Sequence, residues 1–210
     1  IEVLEDMERR HRPAADALKD WGLSHRFAGA GDRAAIGNIV YDALRRRRSA
    51  GWLLGAETPR AFAFGGMMLE TGRAAPGINA ALDGDRFAPE PLSADELAAV
   101  ASRDLADAPE AVRADVPDWC VPMLERAFGT DWVEEAKGLA ARPPLDMRAN
   151  TLLASRDKVI GELSGASATD IAPHGIRIAP IEGDGRHPNV QVEPAFQKGW
   201  FEIQDEGSQI

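Results

Sequence analysis

The chain has 210 residues at 22.6 kDa, enough to bury one or two cores without disulfide staples. Its 24 Lys and Arg against 34 Asp and Glu give a net charge of −10, which on average excludes the uniformly basic surface of an electrostatically driven nucleic-acid binder. Fourteen Pro and 20 Gly among 44% apolar residues exclude collagen and a disordered tail, and the single Cys120 excludes an intrachain disulfide and a multi-cysteine zinc cage.

Ile1, Leu4 and Met7 recur at helical spacing, and Pro13 suits the first turn of a second helix carrying Leu18 and Trp21. Gly29 to Asp32 supplies a joint with Asp32 as N-cap candidate, after which Ile36, Ile39, Val40, Ala43 and Leu44 form one apolar stripe. Thr58 and Pro59 read as a cap and a first-turn proline, opening a helix with Phe62, Phe64, Met67, Met68 and Leu69 that ends at Gly72. Ser93-Ala-Asp-Glu96 has the form of a capping box and predicts a helix to about Leu105. Short helices are predicted over Val121–Phe128, with Pro122 in the first turn, and over Asp131–Ala141.

At Arg142-Pro-Pro144 the pattern changes. Leu145 to Thr151 alternates with period two, and Ser155 to Leu163 returns to helical spacing. Gly175–Ile178, Asn189–Val192 and Trp200–Ile203 are strand-like runs bounded by Gly and Pro. The fold class expected is mainly α: a helical bundle followed by a small α+β module.

Split along the chain, residues 1–75 carry 12 basic and 10 acidic groups, 76–135 carry 4 and 14, and 136–210 carry 8 and 10. The acidity therefore belongs mainly to the middle, where a solvated face is the expectation. The basic feature of the first third is Arg45, Arg46, Arg47 and Arg48, with Arg9, Arg10, Arg12, Arg26 and Arg33 upstream. Guanidinium groups match phosphate oxygens, so these nine are candidate RNA-binding residues. A second reading of the run is that cations in a last helical turn complement the helix dipole, and four successive residues cannot form one stripe.

Trp21, Trp52, Trp119, Trp132 and Trp200 lie among apolar neighbours and read as core or interface anchors. Cys120, between Trp119 and Val121, reads as a small buried hydrophobe; as a nucleophile it would need a base, for which His11, His25, His174 and His187 are the candidates. The histidines lack metal-ligand spacing, and no common phosphate-cradling glycine motif occurs, so no metal is expected. No apolar run approaches the length of a membrane-spanning helix and no signal-peptide core opens the chain, so a soluble, cytoplasmic protein is expected. The missing initiator Met and the closing Gln204-Asp-Glu-Gly-Ser-Gln-Ile210 suggest a piece of a longer protein.

Arg12 to Leu18, followed by Gly31-Asp-Arg-Ala-Ala-Ile-Gly-Asn-Ile-Val-Tyr-Asp-Ala-Leu-Arg-Arg-Arg47, resembles the NusB-like helical domain of the RsmB/Sun (Fmu) family of bacterial RNA cytosine-C5 methyltransferases. Pro117-Asp-Trp119 with Phe128-Gly129, Arg142 to Thr151, Pro173 to Ile178 and the aromatic run Gly199-Trp-Phe-Glu-Ile-Gln-Asp-Glu-Gly-Ser-Gln-Ile210 are similar to that family's next module and its junction with the catalytic domain. The resemblance implies a NusB-like RNA-binding domain with an acidic helical extension over 1–141, a small RRM-like module over 142–203, and a junction over 204–210 to a catalytic domain that binds S-adenosylmethionine. It implies no catalytic or cofactor-binding residue in this chain, because Cys120 matches neither family cysteine motif. The partners implied are RNA, ribosomal in this family, and the protein's own C-terminal catalytic domain, with no membrane. Another reading is a free-standing NusB-like factor in transcription antitermination or ribosome assembly, since fold does not settle function.

Overall fold

The computed structural model describes residues 1–180 and 188–210 and forms two compact units, Ile1–Ala141 and Arg142–Ile210. His187 lies outside the described residues. The first unit is helical: α1 (Glu2–Arg10), α2 (Ala14–Ser24), α3 (Ala30–Arg45), α4 (Arg47–Leu54), α5 (Pro59–Thr71), α6 (Ala75–Leu82), α7 (Ala94–Ser102), α8 (Glu110–Arg113), α9 (Val121–Phe128) and α10 (Trp132–Ala140). In the second, β1 (Leu145–Ala149), α11 (Arg156–Glu162), β2 (Ala166–Ala168), β3 (Gly175–Ile178), α12 (Pro194–Gln197) and β4 (Phe201–Ile203) build a four-stranded sheet of order β2-β3-β1-β4.

The sequence explains α5 from end to end. Thr58 accepts a hydrogen bond from Ala61 N at 3.2 Å, Pro59 occupies the first turn, and Gly72 closes the helix at φ 66°. The helix is apolar nearly all round because it has partners on two sides. Phe62 and Ala63 join a core with Val3, Leu4, Ala17, Val40 and Ala43, while Ala61, Phe64 and Met68 join a second with Leu54, Ala75, Ile78 and Leu92. Burying each phenylalanine contributes about 1.5–3 kcal/mol. Gly65 and Gly66 make the close approach possible, since a Cβ on Gly65 would lie 2.7 Å from the Ala50 backbone of α4 and one on Gly66 would lie 3.0 Å from Ala43 Cα of α3. A third core gathers Ala114, Val116, Trp132, Val133 and Ala136, with Cys120 half-buried against it as the small apolar filler its neighbours suggested.

In the second unit Met147, Ala149, Ile176, Ile178 and Phe201 alternate onto one face of the sheet and pack on Val159 and Leu163 from α11 and its end. Antiparallel register pairs Met147 with Ile176 on one side and with Ile203 on the other. The order β1-α11-β2-β3-α12-β4 is a βαββαβ arrangement.

Five expectations need correction. Asp32 is not the N-cap of α3: the helix begins at Ala30, and the Asp32 carboxylate reaches back to accept from Gly29 N at 2.8 Å. The helix opened by Ser93, whose capping box with Glu96 is present, stops at Ser102. There Arg103 turns its guanidinium to donate to Trp52 O at 2.7 Å, and Asp104 caps a new 3-10 turn through Ala106 N. Asn189–Val192 is not a strand, because the Asn189 side chain accepts from Gln191 N and winds Val190–Val192 into a 3-10 turn that buries Val190. Trp119 is not a core anchor: it stands on a 3-10 turn, 71% exposed, while Trp132 alone among the five is fully buried and Trp21, Trp52 and Trp200 are half-buried. α4, α6, α8, β2 and α12 were not among the elements expected from the sequence, and the arginine run does not close α3 but crosses into α4.

Candidate nucleic-acid interface

The four-arginine run straddles a helix break: α3 ends at Arg45, α4 begins at Arg47, and Arg46 between them leaves helical geometry at φ −106°, ψ 24°. The side chains diverge, and each meets a different carboxylate. Arg45 pairs with Asp42, Arg46 with Glu70 at 2.8 Å, Arg47 with Glu8 at 2.7 Å and Arg48 with Asp118 at 2.6 Å. Arg47 also lies 4.3 Å from the Phe62 ring centroid, and Arg48 donates to Val116 O at 2.6 Å. The run therefore braces α1, α5 and the Asp115–Asp118 segment around the α3–α4 junction.

Upstream arginines are engaged in the same way. Asp6 gathers Arg9, Arg10 and Arg12, and Arg12 also donates to Asp20 at 2.6 Å. These guanidinium groups hold the Asp6 carboxyl below its ordinary value against the cost of desolvation. Arg9 is 73% exposed, yet it borders an open cleft of about 690 Å³ that is lined by Glu2, Glu5, Asp6 and Glu8. That field opposes a phosphate.

Much of the acidic middle is solvated as expected, with three exceptions that fold onto basic groups of the first third. Glu96 receives both Arg60 nitrogens at 2.8 and 3.1 Å, which lower its pKa. Asp118 takes Arg48. Asp115, in left-handed backbone at φ 53°, accepts from Arg48 N at 3.0 Å, Ser49 N at 2.8 Å and Ser49 Oγ at 2.6 Å. Burial nonetheless pushes its carboxyl above the usual aspartate value, opposed by those hydrogen bonds and by Arg46.

Arg26 and Arg33 are different. Arg26 lies in the turn between α2 and α3 and Arg33 in the first turn of α3; both are exposed, and neither has a carboxylate partner among the described residues. Arg33 Nε donates to Ala28 O at 3.0 Å, and its guanidinium lies over Gly22 of α2, where an added Cβ would come within 3.3 Å of Nη1. Arg26 sits between His25 and Phe27. The His25 ring stacks on Trp21 at 4.2 Å and 9°, and Phe27 meets the His25 edge at 5.6 Å while remaining 83% exposed. An exposed aromatic beside unpaired guanidiniums can stack an unpaired base and hold its phosphate. The structure thus leaves two of the nine candidates, on either side of Phe27 in the chain, without carboxylates and ties the others to them. Phe27 was not singled out from sequence because nothing in its spacing marks it as exposed, and His25 was named only as a candidate base for Cys120.

The open face of the sheet in the second unit carries Asp146 and Arg148 from β1, Arg177 from β3 and Glu202 from β4. Arg177 donates to both Asp146 oxygens at 2.7 Å and reaches Glu206 at 3.3 Å. Glu206 accepts from Ile171 N and Ala172 N, each at 3.0 Å. Arg177 first, with the Glu206 backbone N–H, lowers the pKa of Asp146; the Ala172 N–H first lowers that of Glu206. A carboxyl with a depressed folded pKa stabilises the fold above its unfolded value, and that stability disappears as pH falls through the folded pKa. The β1 and β3 amides should therefore lose hydrogen-exchange protection on acidification below about pH 4. Asp146→Asn should be less protected at pH 7 and respond less to that acidification, the remainder coming from Glu206; an unchanged acid response would refute the assignment.

The sheet of the described residues is antiparallel, with no glycine-rich strand-to-helix crossover to cradle a cofactor. Among the described residues no helix is long and apolar enough to cross a membrane, and no group of three His, Cys, Asp or Glu could hold a metal ion.

No protein-family model matches the chain. Its N-terminal 44% is similar to curated bacterial proteins. Ribosomal RNA small subunit methyltransferase B of Enterobacter sp. (strain 638) is 29% identical over 97 residues, covering 44% of this chain and 21% of that protein. The probable ribosomal RNA small subunit methyltransferase B of Synechocystis sp. is 31% identical over 101 residues, with the same coverage. That of Proteus mirabilis is 30% identical over 98 residues, 44% of this chain and 22% of its own. The chain spans about a fifth of the length of the curated relatives it matches.

Proposed function

From a chain whose first 44% is similar to ribosomal RNA small subunit methyltransferase B, in agreement with the RsmB/Sun resemblance, we propose the RNA-recognition portion of an rRNA cytosine-C5 methyltransferase. In this reading residues 1–141 are a NusB-like RNA-binding domain. Residues 142–203 are an RRM-like module, and 204–210 lead to a catalytic domain that binds S-adenosylmethionine and supplies the chemistry. This chain's part is to hold and orient RNA. The similarity of the first half carries the proposal; the exposed Arg26, Phe27 and Arg33 support it, as does the βαββαβ order of the second unit.

The nine arginines divide into two roles under this proposal. Arg26 and Arg33 contact phosphate directly. Arg9, Arg10, Arg12 and Arg45 to Arg48 would have to exchange a carboxylate for a phosphate, which makes them weaker contributors.

Small-subunit rRNA fragments should bind the full chain with an affinity that falls steeply between about 50 and 200 mM salt. Each lost phosphate contact flattens the logarithmic slope by about 0.7, so Arg26→Ala with Arg33→Ala should flatten it by about 1.4. Phe27→Ala should weaken binding by roughly 1–3 kcal/mol with the slope unchanged, as expected for stacking. S-adenosylmethionine should show no binding by calorimetry. Salt-independent RNA binding, or tight cofactor binding by these 210 residues, would overturn the proposal.

A further inference from the structure

The second unit offers a place for RNA that is not the open face of its sheet. RRM modules stack bases on aromatic side chains of that face. Here the corresponding positions carry Asp146, Arg148, Arg177 and Glu202, and the Arg177 guanidinium is already held by Asp146 and Glu206. The aromatic group with cations around it lies elsewhere. Lys158 Nζ of α11 is 4.0 Å from the Trp200 ring centroid, and Lys198 Nζ, just after α12, is 4.8 Å from the same centroid. The two ammoniums are therefore within about 9 Å of each other.

Neither lysine has a carboxylate partner among the described residues, although most arginines described above do. Two like charges converging on one indole leave an excess of positive potential that the ring quadrupole offsets only in part. An anion would offset the rest.

The surroundings are rigid. Asn150 N donates to Trp200 O at 2.8 Å and Asn150 Nδ2 to Gly199 O at 3.0 Å, while Trp200 N donates to Ala195 O at 3.0 Å. The turn bearing Lys198 is thus pinned from both sides. Lys158 stands in the first turn of α11, where its own N–H is capped by Ser155 Oγ. Leu153 Cδ1 would lie 3.6 Å from a Cβ added at Gly199, next to Trp200 in the chain, and Leu152, the neighbour of Leu153, is 92% exposed.

We propose that Lys158, Lys198 and the edge of Trp200 form a phosphate-binding surface for the backbone of single-stranded RNA, with Leu152 and Leu153 against its sugars and bases. The inference rests on the RNA-recognition reading but uses none of the residues that carry it. Charge complementarity selects the occupant: a flexible polyanion can present successive phosphates to two ammoniums this close together.

The test uses the full chain and a short fluorescein-labelled oligouridine, with affinity read by anisotropy over a salt series. Lys158→Ala with Lys198→Ala should weaken binding roughly 5- to 10-fold at moderate salt and flatten the logarithmic slope by about 1.4. Lys158→Arg with Lys198→Arg should restore both. RNA should quench indole fluorescence in the wild type and less in Trp200→Phe. Unchanged affinity and slope in the double alanine variant, while Arg26→Ala with Arg33→Ala weakens binding, would overturn this site alone. No RNA binding by the wild type would overturn this site and the RNA reading together. Competition by poly-glutamate as strong as by RNA of equal charge would assign the surface to acidic protein segments and overturn the proposal.

Discussion

Asp115→Ala should destabilise the helical unit by about 3 kcal/mol, the largest loss expected from any single polar substitution in it. α4 begins immediately after Arg46, a residue with no side-chain acceptor, so the first N–H groups of the helix have no local cap. The cap comes from elsewhere in the chain: Asp115 accepts from Arg48 N and Ser49 N, the second and third residues of the helix, and from Ser49 Oγ. Ser49 is buried, so losing the carboxylate strands its backbone N–H away from water, at about 1–3 kcal/mol, while its hydroxyl keeps Arg46 O at 3.2 Å. Alanine meets the same Cβ crowding in left-handed backbone that Asp115 already meets, but without the short polar side chain that helps Asp tolerate it. Asn tolerates that backbone but brings an amide NH2 toward donors, so Asp115→Asn should fall between wild type and Ala. Urea unfolding of the full chain, at constant slope, reads the series; a loss below about 1 kcal/mol for Ala would show that the distant cap does not hold α4.

Gly65→Ala should cost about 2 kcal/mol although it places a better helix former in a helix. In an open position such a change is favourable by about 0.5–1 kcal/mol, as Gly138→Ala should show, since Gly138 is exposed in α10 and nothing lies within 4 Å of its added Cβ. At Gly65 the methyl would meet Ala50 Cα, Cβ and O, all at 2.7 Å. Backbone of α4 cannot swing aside like the end of a side chain, so α4 and α5 would have to separate and loosen both cores that α5 joins. Ala50→Gly in the same chain should recover part of the loss despite its own helix penalty. Additive losses in the double variant would mean that the contact between these helices is not the cause.

Local features were legible because their causes are local. Thr58, Pro59 and Gly72 bound α5, and Ser93 with Glu96 starts α7, since a cap is satisfied within three residues of itself. Where another group competes, sequence reading fails: Arg103 leaves its helix to reach the distant Trp52 O, and the Asn189 side chain bonds Gln191 N to wind a local turn inside a strand-like run. The candidate site shows the same division. Nine arginines were visible as phosphate ligands in composition, but a carboxylate's address in space is not written beside the cation it meets. Glu8, Glu70 and Asp118 each come from a different element to meet the run at Arg46 to Arg48.

The amino-acid sequence by itself determined the two-part architecture, the position of the change near Arg142, most helices and the family resemblance, all of which follow from periodicity, caps and short motifs. Only the tertiary structure decided which charges remain available. A basic first third and an acidic middle folded into one unit neutralise each other where they touch, because pairing a cation with a nearby carboxylate offsets its desolvation better than leaving both unpaired. Among the described cations without a carboxylate partner, Arg33 was brought to a backbone carbonyl and Lys158 and Lys198 to one indole ring.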